Sequence, residues 1–88
     1  MQVDFTKHFA KQLDTLRDEV LREKLRDAVN AVMAATTERE IPQLKKLKGH
    51  HSAFRMRIGD YRIGLFIEDN SAIFALFEHR KDIYNRFP

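Results

Sequence analysis

Ala53-Phe54-Arg55-Met56-Arg57-Ile58, then Gly59-Asp60, then Tyr61-Arg62-Ile63-Gly64-Leu65-Phe66-Ile67 is the stretch that places the rest of this 88-residue chain. Two runs that alternate in polarity flank a two-residue Gly-Asp loop. Alternation reads as half-buried strands, and such a loop with glycine first reads as a type II′ hairpin turn, because glycine adopts positive φ without steric cost. Counting back from the turn, Ile58 opposes Tyr61, Arg57 opposes Arg62 and Arg55 opposes Gly64. Like charges directly opposite one another in a sheet are unfavourable. A chain that keeps Arg57 against Arg62 is expected to meet an anion there, and phosphate is the obvious candidate.

Outward from the hairpin, Asp69-Asn70 reads as a second two-residue turn into a strand at 71–78, because both residue types tolerate positive φ. Its expected register sets Ile67 against Ala72, Leu65 against Phe74, Gly64 against Ala75 and Arg62 against Phe77. One face then collects Phe54, Met56, Ile58, Tyr61, Ile63, Leu65, Ile67, Phe74 and Leu76 as the core. The other presents Arg55, Arg57 and Arg62, a notch at Gly64 and Ala75, and the apolar Phe66, Ile73 and Phe77. A one-residue slip would exchange the two faces.

The N-terminal part supplies the cover. Gln2-Val3-Asp4-Phe5 alternates like a short strand, and Thr6 suits a helix N-cap. Helical periodicity follows, with Phe9, Leu13 and Leu16 on one stripe and Leu21, Leu25, Ala28, Val29 and Val32 on another. A single helix through both stripes would be about 43 Å long at 1.5 Å per residue. That exceeds the roughly 30 Å diameter expected of a domain this size. A break near Thr15-Leu16-Arg17-Asp18 is therefore expected, giving a helical hairpin. Residues 36–42 read as a connector, with Leu44 and Leu47 tucked beneath the basic stretch that follows. The fold class is α+β, with an N-terminal strand and a helical hairpin on one face of a small, mainly antiparallel sheet, and residues 1–88 forming one domain.

Composition narrows the function classes. The net charge of +3 hides an asymmetry: residues 1–43 carry seven Lys/Arg against eight Asp/Glu, and residues 44–88 carry nine against five. Between Leu44 and Ile58 stand Lys45, Lys46, Lys48, Arg55 and Arg57 with two histidines and no acid. A one-sign run leading into a one-sign sheet face points to nucleic acid or an acidic partner, although such a run also serves as a soluble loop. The chain has no cysteine, so disulfides and thiolate metal sites are excluded. No segment is long and apolar enough to span a bilayer, and residues 1–4 carry no leader pattern, so a cytoplasmic protein without membrane contact is expected.

Chemistry concentrates at the end of the last strand. That strand returns alongside 61–68, so Arg80 is expected beside Arg57 and Arg62, with Tyr84 a turn further on. Guanidinium groups match phosphate oxygens in a bidentate fork. His79, His50 and His51 are acid–base candidates because histidine titrates near neutrality. Their spacing suits no chelate, so neither metal nor cofactor is expected. There is no glycine-rich phosphate loop and no Ser/His/Asp set. For Phe66 and Phe77, packing under the C-terminal tail and contact with a partner are both open. Spacing alone supports a small α+β domain that binds an anionic polymer, not a particular reaction.

Three segments, in this order and with these gaps, carry a family likeness: Leu44-Lys45-Lys46-Leu47-Lys48-Gly49, Phe54 to Ile63 with its Gly-Asp-Tyr-Arg turn, and His79-Arg80-Lys81-Asp82-Ile83-Tyr84. Through them the chain resembles the RelE/ParE superfamily of toxins from bacterial toxin–antitoxin systems. The resemblance implies a RelE-like, microbial ribonuclease-type fold and a ribosome-dependent endoribonuclease that cuts mRNA in the ribosomal A site. It implies that Arg57, Arg62, Arg80, Tyr84 and His79 form the catalytic group. Lys45, Lys46, Lys48, His50, Arg55 and Lys81 would hold RNA. The partners implied are a cognate antitoxin, contacted through Phe66, Ile73 and Phe77, and the ribosome with its mRNA. Operator DNA would be met only through the antitoxin complex. Two alternatives share the fold: a ParE-like toxin that poisons a topoisomerase without cutting RNA, and an inactive nucleic-acid-binding relative. The chain departs from the family pattern at Gly64-Leu65, where many relatives carry a β-branched residue followed by tyrosine.

Overall fold

The central hairpin has the expected register. In a computed structural model describing Met1–Pro88, β3 (Ala53–Ile58) and β4 (Tyr61–Glu68) are antiparallel, with Arg57 opposite Arg62 and Arg55 opposite Gly64. Gly59 takes φ +64° at the turn. Strand β5 (Ser71–His79) follows a turn in which Asp69 and Asn70 both take positive φ, at 51° and 63°. These values match the type I′ geometry of tight hairpins. Strand β1 (Gln2–Phe5) lies parallel on the far edge of β5, and a three-residue β2 (Leu44–Lys46) lies antiparallel on β3. The order across the sheet is β1-β5-β4-β3-β2. The sequence reading misses β2 as a strand, since three residues are too few to display a period.

One correction changes the faces of β5. Leu65 pairs with Phe74 as expected, but Gly64 pairs with Leu76 and Arg62 with Glu78, so Ala75 is an extra residue in a β-bulge. Beyond the bulge every side chain changes face. Phe77, expected on the open face, enters the core at 6% exposure, its ring 5.9 Å from that of Phe9. Leu76, expected in the core, joins the opposite face. The run Ala72-Ile73-Phe74-Ala75-Leu76-Phe77 is apolar throughout and contains no alternation from which the slip could be read. Phe77 is therefore removed from any exposed partner surface, whereas Ile73 remains exposed.

Helices α1 (Lys7–Thr15) and α2 (Glu19–Ala34) cover the core face. The whole molecule extends only 32 × 27 × 23 Å, which is why the helical stretch must fold back. The break needs neither glycine nor proline. Asp18 caps α2 by accepting from the Leu21 N–H, and Arg22 donates to the carbonyls of Leu13 and Leu16 at the end of α1. These bonds satisfy groups that a helix terminus leaves without partners.

Strand β1 stops at Phe5, and side chains continue the pairing along β5. The Thr6 hydroxyl donates to the carbonyl of the bulged Ala75 at 2.7 Å while accepting from the Phe9 N–H. Beyond it the Gln12 amide mimics a strand, donating to the Phe77 carbonyl at 2.7 Å and accepting the Phe77 N–H at 2.9 Å. Thr6→Ala is expected to cost roughly 1–2 kcal/mol, as the loss of an N-cap does. Thr6→Ser, which retains both bonds, should cost far less; urea unfolding of the two variants checks this.

After α2 the chain turns through a short 3₁₀ segment, Glu38–Glu40, that leads towards β2. The Thr36 hydroxyl and N–H both donate to the Glu40 carboxylate, at 2.7 and 3.1 Å. These bonds hold the Glu40 carboxyl below the usual carboxylate range. A lowered folded-state pKa means that the contribution is present at neutral pH and is lost as pH falls through the lowered value. Thr36→Ala should move the Glu40 titration up towards the ordinary range, as followed by side-chain NMR.

Candidate active site

The second face of the sheet is divided between packing and charge. On one half, Leu47, Ala53, Ile83 and Phe87 form a small core of their own, with Phe66, Ala75 and Leu76 against it. The C-terminal segment provides the cover: α3 (Ile83–Arg86) inserts Ile83, and Phe87 lies 5.1 Å ring to ring from Phe66. The expected notch at Gly64 is thus filled from within the chain. A Cβ on Gly64 would stand 2.5 Å from Cγ of Phe87. With the Phe87 ring seated there is no room for a Cβ, which accounts for the glycine at this position.

On the other half the strands leave a cleft of about 350 Å³, lined by Gln43, Leu44, Lys45, Arg55, Arg57, Arg62 and Tyr84. Each cation reaches it by strand alternation. Lys45 opposes Arg55 across β2 and β3, and Arg57 opposes Arg62 across β3 and β4, so two like-charge pairs sit side by side. The Arg55 guanidinium lies over the Tyr84 ring, 4.4 Å from its centroid. A cation above an aromatic face is attracted by the ring quadrupole, and the contact orders both groups. Tyr84 itself stays 72% exposed, so its ring remains available to a ligand. Arg62 is steadied by donating to the carbonyls of Gly59 and Tyr61, both at 2.9 Å.

None of these cations forms a salt bridge. The sole contact of salt-bridge length is peripheral, between His51 Nε2 and the Glu68 carboxylate at 3.5 Å. Glu78 opposes Arg62 in register, yet its carboxylate accepts from Gln12 at 3.3 Å at the margin of the sheet. Four positive side chains without a carboxylate partner create a focused positive potential suited to a polyanion.

The remaining expected site residues lie elsewhere. His79 opposes Tyr61 and packs edge-on against it, ring centroids 5.5 Å apart, on the face that carries the helices. Its Nδ1 accepts the Lys81 N–H. Arg80 does not line the cleft; its N–H donates to the Asp60 carbonyl at the β3–β4 turn. Lys46 points to the other side of β2, into a hollow with Thr36, Glu38 and His51. Lys48, His50 and Lys81 are exposed outside the cleft. Conversely, Gln43 and Leu44 line it and are absent from the sequence-derived set. The strand that Leu44 opens, directly after Gln43, was not legible, although Pro42 and Gly49 bracket it.

Because Tyr84 sits between Ile83 and Phe87, its position depends on the Gly64–Phe87 contact. Phe87→Ala should cost about 3 kcal/mol, the lower end for a buried phenylalanine. Gly64→Ala should destabilise strongly alone and add little once Phe87 is alanine. A double-mutant cycle by chemical denaturation reads this coupling, and additive effects would refute the contact.

No protein-family model matches the chain. The toxin RelE3 of Methanocaldococcus jannaschii is 33% identical over 89 residues, spanning the full length of both chains. Among solved structures, the RelB-RelE antitoxin-toxin complex from Methanococcus jannaschii matches at 30% identity with a TM-score of 0.78, covering 97% of this chain and 99% of that one. The archaeal RelE-RelB complex from Pyrococcus horikoshii matches at 22% identity and a TM-score of 0.73, over 90% and 93% of the two chains, a likeness of fold. Full-length identity at this level, together with the likeness of fold, shows that the chain belongs to the RelE family of toxins.

Proposed function

We propose that the chain is the toxin of a toxin–antitoxin pair and acts as a ribosome-dependent endoribonuclease on mRNA. The observation that carries this reading is the cleft of Lys45, Arg55, Arg57 and Arg62 beside an exposed tyrosine, with no carboxylate to neutralise it. Phosphoryl transfer needs mainly positioning and stabilisation of charge on the phosphate oxygens. In the proposed reaction the ribose 2′-oxygen attacks the adjacent phosphorus and the bond to the 5′-oxygen breaks. The products are a 2′,3′-cyclic phosphate and a 5′-hydroxyl end, the proton passing from the 2′-hydroxyl to the departing 5′-oxygen. Arg57 and Arg62, facing each other, hold the non-bridging oxygens. Tyr84, ordered by Arg55, stacks on a base, and Lys45 draws the neighbouring phosphate.

This assignment rests on the cleft residues and not on Arg80 or His79, which lie outside it. Lys48 and Lys81 extend the positive surface for ribosomal RNA, with His50 a further polar contact, and this binding should weaken with salt as counterions compete. A RelB-type antitoxin with an acidic segment across the cleft is the proposed inhibitor, supported by the RelB-RelE complexes of the relatives. Exposed Ile73 and half-buried Phe66 remain candidate apolar contacts for it.

Brief induction in cells, followed by mapping of RNA 5′-hydroxyl ends, tests the reading. Cuts in frame within translated codons are expected, reduced about 100-fold or more in Arg62→Ala, as when a transition-state donor is removed. Growth arrest without new ends would move the assignment to topoisomerase poisoning. Neither arrest nor ends would leave a nucleic-acid-binding relative.

A further inference from the structure

Three non-glycine residues take positive φ, and two of them, Asp69 and Asn70, are explained by their hairpin turn. The third is Gln43, at φ +60°. It follows Pro42 in a turn entering β2, at the second corner where glycine or asparagine is the usual occupant. Glutamine has no local hydrogen-bonding habit that favours the left-handed region, so glycine would be the less strained choice. Residues held in such conformations cluster at ligand sites, where the surrounding structure fixes them. Gln43 is fixed in this way: its carbonyl accepts the Arg57 N–H at 3.1 Å, which ties it to β3 at one of the two facing arginines.

Gln43 also differs chemically from everything else in the cleft. The other polar lining groups are four cations and one phenol. Cations suit phosphate and the phenol ring suits stacking, but neither supplies an adjacent acceptor and donor. A carboxamide does, and its two atoms match the N6 amino group and N7 of adenine in a bidentate pair. Single-stranded RNA exposes its base edges to such contacts once the base is splayed from the stack.

We infer that Gln43 is a specificity-determining residue that reads an adenine next to the phosphate held by Arg57 and Arg62, an inference that rests on the ribonuclease reading above. The test uses the full chain with translating ribosomes programmed by messages that differ only in the base at the cut site. Wild type should cut adenine-bearing sites about tenfold faster than the others, the discrimination of one bidentate pair. Gln43→Gly should lose that preference, with cutting at adenine sites falling by about tenfold and the melting temperature equal to or above wild type. Gln43→Glu, which cannot donate to N7, should likewise lose the adenine preference. A preference that survives Gln43→Gly, or a uniform fall across all four bases, would overturn the assignment while leaving the nuclease standing. A wild-type chain that cuts no message at all would overturn the nuclease reading and this inference with it.

Discussion

The contact between Phe87 and the bare backbone of Gly64 is the constraint on which the site depends. It is a steric relation first: the ring occupies the volume that any Cβ at position 64 would need. With the ring seated, the C-terminal segment is fixed across the apolar half of the sheet by Ile83 and Phe87 together. A four-residue helix has no independent stability, since helix nucleation in isolation is unfavourable. Its anchors therefore set where Tyr84 stands, and Arg55 completes the placement from the strand side. A glycine in the middle of a strand ordinarily weakens it. Here it admits the element that carries an exposed aromatic ring to the cleft.

The same sheet face has opposite electrostatic and apolar halves, and that division is a consequence of strand register. Lys45, Arg55, Arg57 and Arg62 share the face because each sits an even number of positions from the next or directly across a ladder. Their mutual repulsion opposes folding, and no internal carboxylate offsets it. Glu78, the acid best placed to do so, is engaged by Gln12. Gln12 also closes the exposed edge of β5 through Phe77, so one side chain both protects a sheet edge and bonds the acid that opposes Arg62. Stability given up in such a cluster is recovered when an anion binds, because binding to the folded state alone shifts the folding equilibrium.

Helices α1 and α2 contribute nothing to the cleft directly, yet they decide which face is free to form it. Phe9, Leu21, Leu25, Ala28 and Val32 cover the opposite face of the sheet, leaving the basic face to solvent and to the C-terminal tail. The hairpin of helices holds without glycine or proline because Arg22 satisfies the end of α1 from within α2.

Local sequence determined the strand-turn-strand frame, the Thr6 cap, the helical break and the opposition of Arg57 to Arg62, since alternation, turn chemistry and chain length act over a few residues. It also determined the basic character of the 44–58 region. What only the tertiary structure decided lies in contacts between distant residues. The bulge at Ala75 exchanged Leu76 and Phe77, because a fully apolar run fits either register until the Thr6 hydroxyl takes the Ala75 carbonyl. Arg80 and His79 were adjacent to the site in sequence logic, but the continuing strand carried His79 to the helical face and the turn at Asp60 held the Arg80 backbone. Gln43 became visible only when β2 paired with β3, because three residues have no period and glutamine is not a residue type that signals a left-handed φ. Patterns with a short range were legible; packing between the chain's last residues and its middle, which joins positions 64 and 87, was set by shape.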